Sequence, residues 1–503
     1  MRKIAVFLFC FACCSALLLA QKEDYNWILG YPDDPTSPAP PYFGGTLLNF
    51  KNGQPDTVRF VTNAGTAESS SISDEQGNLL FYTNGCEVYD RNHHIMPNGD
   101  QINPGDAYEY SCQDLLKEYG MFQGIIVLPW PKHPHLYRVL HLRYIKNGHI
   151  ANELLSSTVD MSLDENGVVT EKSQVVTSPD TLVLISAVRH ANGTDWWVVI
   201  PKALSSKYYV FLLDSAGIHR PRIQNFEGFP YSGGACQAAF SPDGSLYAQG
   251  GNDGVNIFSF NRCTGSLCNP RKIPFDSTYA YEIFGGGVGF SPNSKYLYRV
   301  SGASRLYQYD LSAPNINDSR ILIGMADNFI DPVGPIQRTF FNLGLGPDNK
   351  IYMPDGNSSR YWNTIHRPDE PGQACMFRQH DLLLPTFHRF AVPNFPNYRL
   401  GALEPACNNY QGGCATNDTV QDGSVRIFPN PAADFIRVTG AFPTASPPRI
   451  QIYDVLGRLL LEHRLRELPD EISIAHLPAA GYFYRVLTLD GQRIGSGLLI
   501  KAR

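Results

Sequence analysis

Ser241-Pro242-Asp243-Gly244 sits in "AFSPDGSLYA" (239–248), between two apolar stretches, and near-copies stand at "GFSPNSKYLY" (289–298) and "GLGPDNKIYM" (344–353). A repeated acid invites a metal reading. A calcium loop needs several oxygen ligands at alternating positions closed by a further acid, but no such series follows Asp243 or Asp348, and Asn293 replaces the acid in the second copy. Turn chemistry explains the motif better. Pro presets the second turn position, Asp or Asn bonds its own backbone, and Gly takes the positive φ of a hairpin bulge. The pairs His93/His94 and His133/His135 have near-ligand spacing but no third ligand nearby, so they read as loop residues. The sequence holds no Gly-x-Ser-x-Gly, His-Glu-x-x-His or phosphate-cradling glycine loop, and no metal or cofactor is expected.

The elements that carry these turns recur. Taking the apolar residue before each turn gives Ile72, Val127, Val188, Phe240, Phe290 and Leu345, spaced 50 to 61 residues apart. A unit of about 50 residues built from short strands is the signature of a β-propeller blade. Gly (44) and Pro (37) are abundant and aromatics reach 12%, which also favours short strands joined by tight turns. Six hairpins do not fix the blade number, because a propeller ring commonly closes on a blade built from both chain ends. "YFGGTLLNF" and "TVRFVTNAG" before the first unit, and "FAVPNFPNYRLGALEP" (390–405) after the last, offer that material. The expectation is all-β: a propeller over residues 24–406, of seven blades with six or eight as alternatives, then a linker (407–424) and a small immunoglobulin-like β-sandwich (425–503).

In such a ring, ligands are expected at the channel mouth, on residues just before each inner strand. Glu68, His190, Gln237, Tyr281, Glu282, Arg338 and Arg399 fill those places and suit a sugar or a peptide. The same set serves equally as a polar plug. A net charge of −6 with scattered Lys and Arg argues against nucleic acid.

The N-terminus "MRKIAVFLFCFACCSALLLAQKED" joins two basic residues to an apolar run, which reads as a secretory signal (1–20) cut after Ala20 to leave Gln21 first. No later apolar run is long enough for a membrane span. Eight of the eleven cysteines then remain, an even number that suggests disulfides in an exported chain. Local pairs Cys263 with Cys268 and Cys407 with Cys414 are expected, and Cys86 with Cys112 is favoured among the three pairings open to the rest.

The last 79 residues alternate with period two: "VRIFPNP", "DFIRVTGA", "RIQIYDVLGRLLLEHRL", "EISIAHL", "GYFYRVLTLDG" and "RIGSGLLIK". "FPNPAADFIRV", "IQIYDVLGRLLLE", "ISIAHLPAAGYFYRVLTLDG" and the ending "GLLIKAR", in that order, resemble the type A C-terminal sorting domain of the type IX secretion system of Bacteroidota. The resemblance carries the family's entry motif onto Pro429, Asn430 and Pro431, its strand-turn motif onto Tyr453, Asp454 and Gly457, its Gly-x-Tyr/Phe motif onto Gly481 and Tyr482, and its end onto Lys501. It implies export through Sec and then the type IX machinery, to the outer surface or beyond. With no catalytic constellation, the expected role is a binding or adhesion module for a glycan, peptide or surface protein. The alternative is a propeller hydrolase or lactonase holding a metal in its channel.

Overall fold

The computed structural model describes residues 21–502 apart from 35–41, 67, 107, 114–116, 146–149, 178–179, 235, 275–285, 328, 338, 391, 404–406, 408–424, 429–431, 441–447, 455–457, 466–469 and 488–492. The chain divides into two compact units, with the main boundary between Cys414 and Ala415.

The first unit is a ring of antiparallel sheets. Blade 1 comprises Ser70–Ser73, Leu79–Thr83 and Val88–Asp90, and blade 2 Ile125–Pro129, Leu136–Ile145, Ile150–Asp160 and Val168–Thr177. Blade 3 begins with Ser186–Arg189 and Trp196–Pro201, blade 4 with Ala238–Phe240 and Leu246–Gly251, blade 5 with Val288–Phe290 and Tyr296–Ser301, and blade 6 with Gly344–Leu345 and Ile351–Met353. Blades 4 to 6 are consecutive four-stranded meanders with the first strand innermost, and blade 3 follows the same order except that a fifth strand, Arg222–Asn225, returns to pair with the third.

A seventh sheet, Asn26–Gly30, Gly45–Asn49 and Asp56–Phe60, closes the ring. Its alternating side chains explain how. Trp27, Leu29 and Leu48 pack with Tyr352, Trp362 and Leu384 of blade 6, whereas Ile28, with Leu47 beside it, packs with Leu79, Tyr82 and Tyr89 of blade 1. The expected sharing between chain ends takes a different form: all three strands of this blade come from the N-terminal side, and among the described residues 390–405 form no strand. The inner edge of Asn26–Gly30 therefore meets no partner strand. Its outward carbonyls are taken instead by hydroxyls from "TAESSS": Ser71 Oγ donates to Asn26 O (2.5 Å), Ser69 Oγ to Ile28 O (2.9 Å) and Thr66 Oγ1 to Gly30 O (3.1 Å). Buried carbonyls need such partners.

The repeated turns share one geometry. Gly244, Ser294 and Asn349 close the three copies at φ +71°, +61° and +62°, and Gly77 and Gly193 hold the same place in blades 1 and 3 at +78° and +76°. The acid or amide three residues before each second strand caps the turn: Asp243, Asn293 and Asp348 accept the N–H of Ser245, Lys295 and Lys350 at 3.0, 3.0 and 3.4 Å. Left-handed backbone with an Asx cap is what Asp, Asn and Gly supply most readily.

Cys86 and Cys112 are bonded as favoured. The local pairs are not formed. Cys263, in the outer hairpin of blade 4, is joined to Cys407, 144 residues on, and Cys268 is bonded to a partner outside the described residues. The close spacing misled because the tail behind blade 6 runs back to blades 3 and 4, where Leu403 N bonds Ala191 O of the blade 3 turn at 2.9 Å and Arg262 of blade 4 donates to Gly401 O. Cys236 and Cys375 are free and buried.

The second unit is a two-sheet sandwich. Val425–Phe428, Phe435–Gly440 and Asp470–Ser473 form one sheet, and Leu459–Arg464, Arg449–Tyr453, Gly481–Leu487 and Arg493–Ile500 the other. Ile436, Val438, Ile450, Ile452, Ile472, Tyr482 and Val486 meet between them, at alternate positions of their strands as a sandwich core requires.

Candidate functional site

The channel has two ends, an entry mouth where the inner strands begin and a turn mouth where they reverse. A layer of three amide side chains separates them. Gln123 bridges to blade 4, donating to Ala238 O (2.9 Å) and accepting from Ala238 N (2.6 Å). Gln237 of blade 4 donates to Leu343 O (2.7 Å) and accepts from Leu343 N (2.9 Å) and Val288 N (3.2 Å), so one side chain ties blades 4, 5 and 6. Asn394, in the tail behind blade 6, donates to Ile125 O (2.8 Å) and Ile185 O (2.9 Å), while its backbone N–H bonds Ser69 O (2.9 Å). The segment "AVPNFPNY" thus crosses the channel rather than adding a strand.

At the entry mouth Glu68 is 3% exposed, two residues before the first strand of blade 1. Burial pushes its carboxyl well above the usual range, against the opposing pull of the Gln123 N–H that it accepts, and Oε1 has no hydrogen-bond partner. Nearby, Glu118 is ion-paired with Arg389. The Arg389 guanidinium lies 4.7 Å over the Phe390 ring and 5.6 Å from that of Tyr31. Phe390 belongs to a trio with Phe122 and Phe341, at centroid distances of 5.4 to 5.7 Å. Rings beside a few convergent polar groups are what small-ligand sites use.

The sequence-predicted residues do not assemble into one site. Glu68 belongs to the entry side, whereas Gln237 lies in the amide layer with its side chain consumed by the ring itself. His190 lies after its inner strand, not before it: its N–H bonds Asp195 O (2.8 Å) and its Nδ1 accepts the Asn192 N–H (3.0 Å) within the blade 3 turn. Arg399 sits at the turn mouth in a bidentate pair with Asp24. Tyr281, Glu282 and Arg338 lie outside the described residues. Glu118, Arg389, Phe390 and Asn394 were missed, because they lie in connections whose place no periodicity fixes. Among the described residues no group of three His, Cys, Asp or Glu is placed to hold a metal. The two histidine pairs are used otherwise: His93 stacks on Phe60 at 3.7 Å, and His133 Nε2 bonds Ser215 O at 2.9 Å.

Beyond the layer, the turn mouth opens into a cavity of about 500 Å³. Asp24, Arg399, Asn397 and the turns at 241–243, 292 and 346–349 ring it, and Gln123, Gln237, Asn342 and Asn394 line it together with apolar residues.

In the second unit, Tyr453 ends a strand, its hydroxyl 2.6 Å from Gln451 Oε1, and Asp454 caps the following turn through Arg458 N (2.9 Å). Gly481 and Tyr482 open the strand paired with the last one, Tyr482 facing the core. Lys501 is 8% exposed and bridges Ala432 in parallel, which fastens the chain end beside the entry segment. Ala20, Pro429, Asn430, Pro431, Gly457 and Cys414 lie outside the described residues; Gln21 is the first described residue.

Comparison with known proteins divides along the same boundary. Residues 426–499 match the family of secretion system C-terminal sorting domains. No curated protein matches the chain. Among solved structures, the chain is similar to a candidate 6-phosphogluconolactonase of Bacteroides uniformis (13% identity, 72% of this chain and 97% of that one, TM-score 0.46). Another candidate 6-phosphogluconolactonase, of Bacteroides fragilis, gives 11%, 72%, 96% and 0.45, and the Cps50 (Swd1) β-propeller domain of Myceliophteria thermophila gives 9%, 62%, 86% and 0.35. At such identities and scores nothing about activity transfers. The protein is a β-propeller followed by a secretion system C-terminal sorting domain, exported by type IX secretion to the cell surface or the extracellular space.

Proposed function

We propose that the propeller is a non-enzymatic recognition module which binds a glycan or peptide at its entry mouth, and that the sorting domain delivers it through the type IX machinery. The observation that carries this reading is Glu68. A buried carboxyl with an unpartnered oxygen costs stability, and a purely structural ring would be better served by an amide or an apolar side chain there. Burial favours the neutral acid, and in that form Glu68 offers both a donor and an acceptor. The Glu118–Arg389 pair and the Phe122, Phe341 and Phe390 rings add charge and a stacking surface. The test is binding of the purified ring to glycan and peptide arrays, then titration of the hits. Glu68→Gln and Phe390→Ala should each weaken the hit at least about tenfold; array binding that neither variant changes, or no binding at all, would refute the reading.

A hydrolase is the second reading, favoured by the same buried acid, its pKa raised by burial, beside a second carboxyl, since paired acids with divergent environments serve as general acid and base. Nitrophenyl glycosides and sugar lactones, assayed with and without added calcium, separate the two. Turnover abolished by Glu68→Gln would establish the enzyme.

A further inference from the structure

The cavity at the turn mouth is independent of the entry mouth, because the Gln123–Gln237–Asn394 layer stands between them. Its walls include Phe240, Phe290, Leu345, Val392 and Phe395. Its charged groups are already engaged: Arg399 holds Asp24 through two bonds of 2.5 and 2.7 Å, and Asp243 takes Ser241 Oγ (2.6 Å) and Ser245 N (3.0 Å). Asp24 and Arg399 neutralise each other, and the Asp243 carboxylate already accepts hydrogen bonds from its own turn, so the cavity presents no bare cation to a ligand.

Asn342 is the exception among the polar lining groups. Counting back from the first residue of each turn, Ser241 in blade 4 and Gly346 in blade 6, Asn342 holds the position that Gln237 holds, so both belong to the same level of the channel. Gln237 spends its amide on neighbouring blades. Asn342 does not: it is 1% exposed and its Oδ1 has no partner. An unmade hydrogen bond of this kind is costly, and a donor supplied from the cavity recovers it. A volume of about 500 Å³ suits a small molecule rather than a folded partner.

We infer that the turn-mouth cavity is a second binding site, for an uncharged small molecule with an apolar body and one hydroxyl or amide donor directed at Asn342 Oδ1. The apolar walls supply the affinity and Asn342 selects the polar group, because a buried acceptor discriminates strongly against an analogue lacking its donor. The probes are 2-naphthol, which is neutral at pH 7, and naphthalene, which lacks the hydroxyl. Fluorescence titration of the full chain should give one saturable 2-naphthol site, with naphthalene at least about tenfold weaker. Asn342→Leu, which keeps the branched shape without the acceptor, should remove that difference, chiefly by weakening 2-naphthol. Leu345→Trp, which fills the cavity from its rim, should abolish both, and both variants should keep the parent melting transition and the entry-mouth ligand. Two results would overturn the inference: no saturable binding of either probe, which leaves the cavity to water, or a naphthol preference unchanged in Asn342→Leu. If Asn342→Leu fails to fold, Asn342→Ala takes its place and should likewise remove the naphthol preference, an unchanged preference again overturning the inference.

Discussion

Arg399 and Asp24 hold each other through two hydrogen bonds, of 2.5 and 2.7 Å, across 375 residues of sequence. Asp24 stands just before the strand that closes the ring, and Arg399 in the tail that has crossed the channel. The pair therefore ties the two ends of the propeller at one point, with Asp24 almost wholly buried (4% exposed).

Arg399→Ala should leave the Asp24 carboxylate buried and uncompensated. The expected loss is about 2–3 kcal/mol, below the range for a fully buried pair because Arg399 keeps part of its side chain in solvent. Adding Asp24→Asn should restore much of that, and urea midpoints of the two variants check both steps.

Glu68 and His141 give opposing pH dependences. His141 is fully buried between Asn103 Oδ1 (2.8 Å) and Ser157 Oγ (3.0 Å), and burial lowers its pKa to about 3. The unfolded chain binds that proton near pH 6.5, so the contribution is complete above 6.5 and is lost as pH falls toward 3. Glu68 is raised, so its contribution is complete below its unfolded pKa near 4.5 and is lost as pH rises through the folded value. Glu68→Gln should thus stabilise the protein at pH 7 and change little at pH 4. In that background the fall in urea midpoint from pH 7 to pH 5, about 2 kcal/mol from His141, should stand out.

Loss of the Cys263–Cys407 bridge should act through the tail. Closing a loop of this length restricts the unfolded chain by up to about 5 kcal/mol in the chain-entropy account. The double variant Cys263→Ser, Cys407→Ser should melt lower by part of that amount. Amide exchange should quicken at Leu403, whose N–H bonds Ala191 O, more than within the blades.

Deleting residues 425–503 should leave a folded ring that is no longer displayed. Cell fractionation in the native host, with protease accessibility as readout, should find the truncated chain in the periplasm; normal surface display would count against the sorting role.

The blades were legible because turn chemistry repeats: each carries a left-handed residue and most an Asx cap, and both restrict residue type strongly enough to be read from one sequence. The sandwich was legible for a similar reason, since Ile436/Val438 and Ile450/Ile452 keep strict alternation on a shared core. The site was not. Asn394 and Arg389 lie in a connection with no period, and their roles depend on where the tail passes. Arg399 and His190 were assigned to one mouth on a count of residues before strands, but His190 falls inside a turn and Arg399 follows the crossing. Of the expected disulfides Cys86–Cys112 is formed, but the two local pairs failed likewise: nearness in sequence favoured Cys263 with Cys268, whereas the returning tail brought Cys407.

The cross-link from Cys407 to the outer hairpin of blade 4 also settles how the ring bears mechanical load. A pull exerted through the sorting domain passes covalently into blade 4, at Cys263 by way of Cys407 at the latest. Tension therefore bypasses Asn394 and the Arg399–Asp24 pair. Drag on a displayed protein would not peel the tail out of the channel, and blade 6, which precedes that tail, is shielded from being unravelled strand by strand.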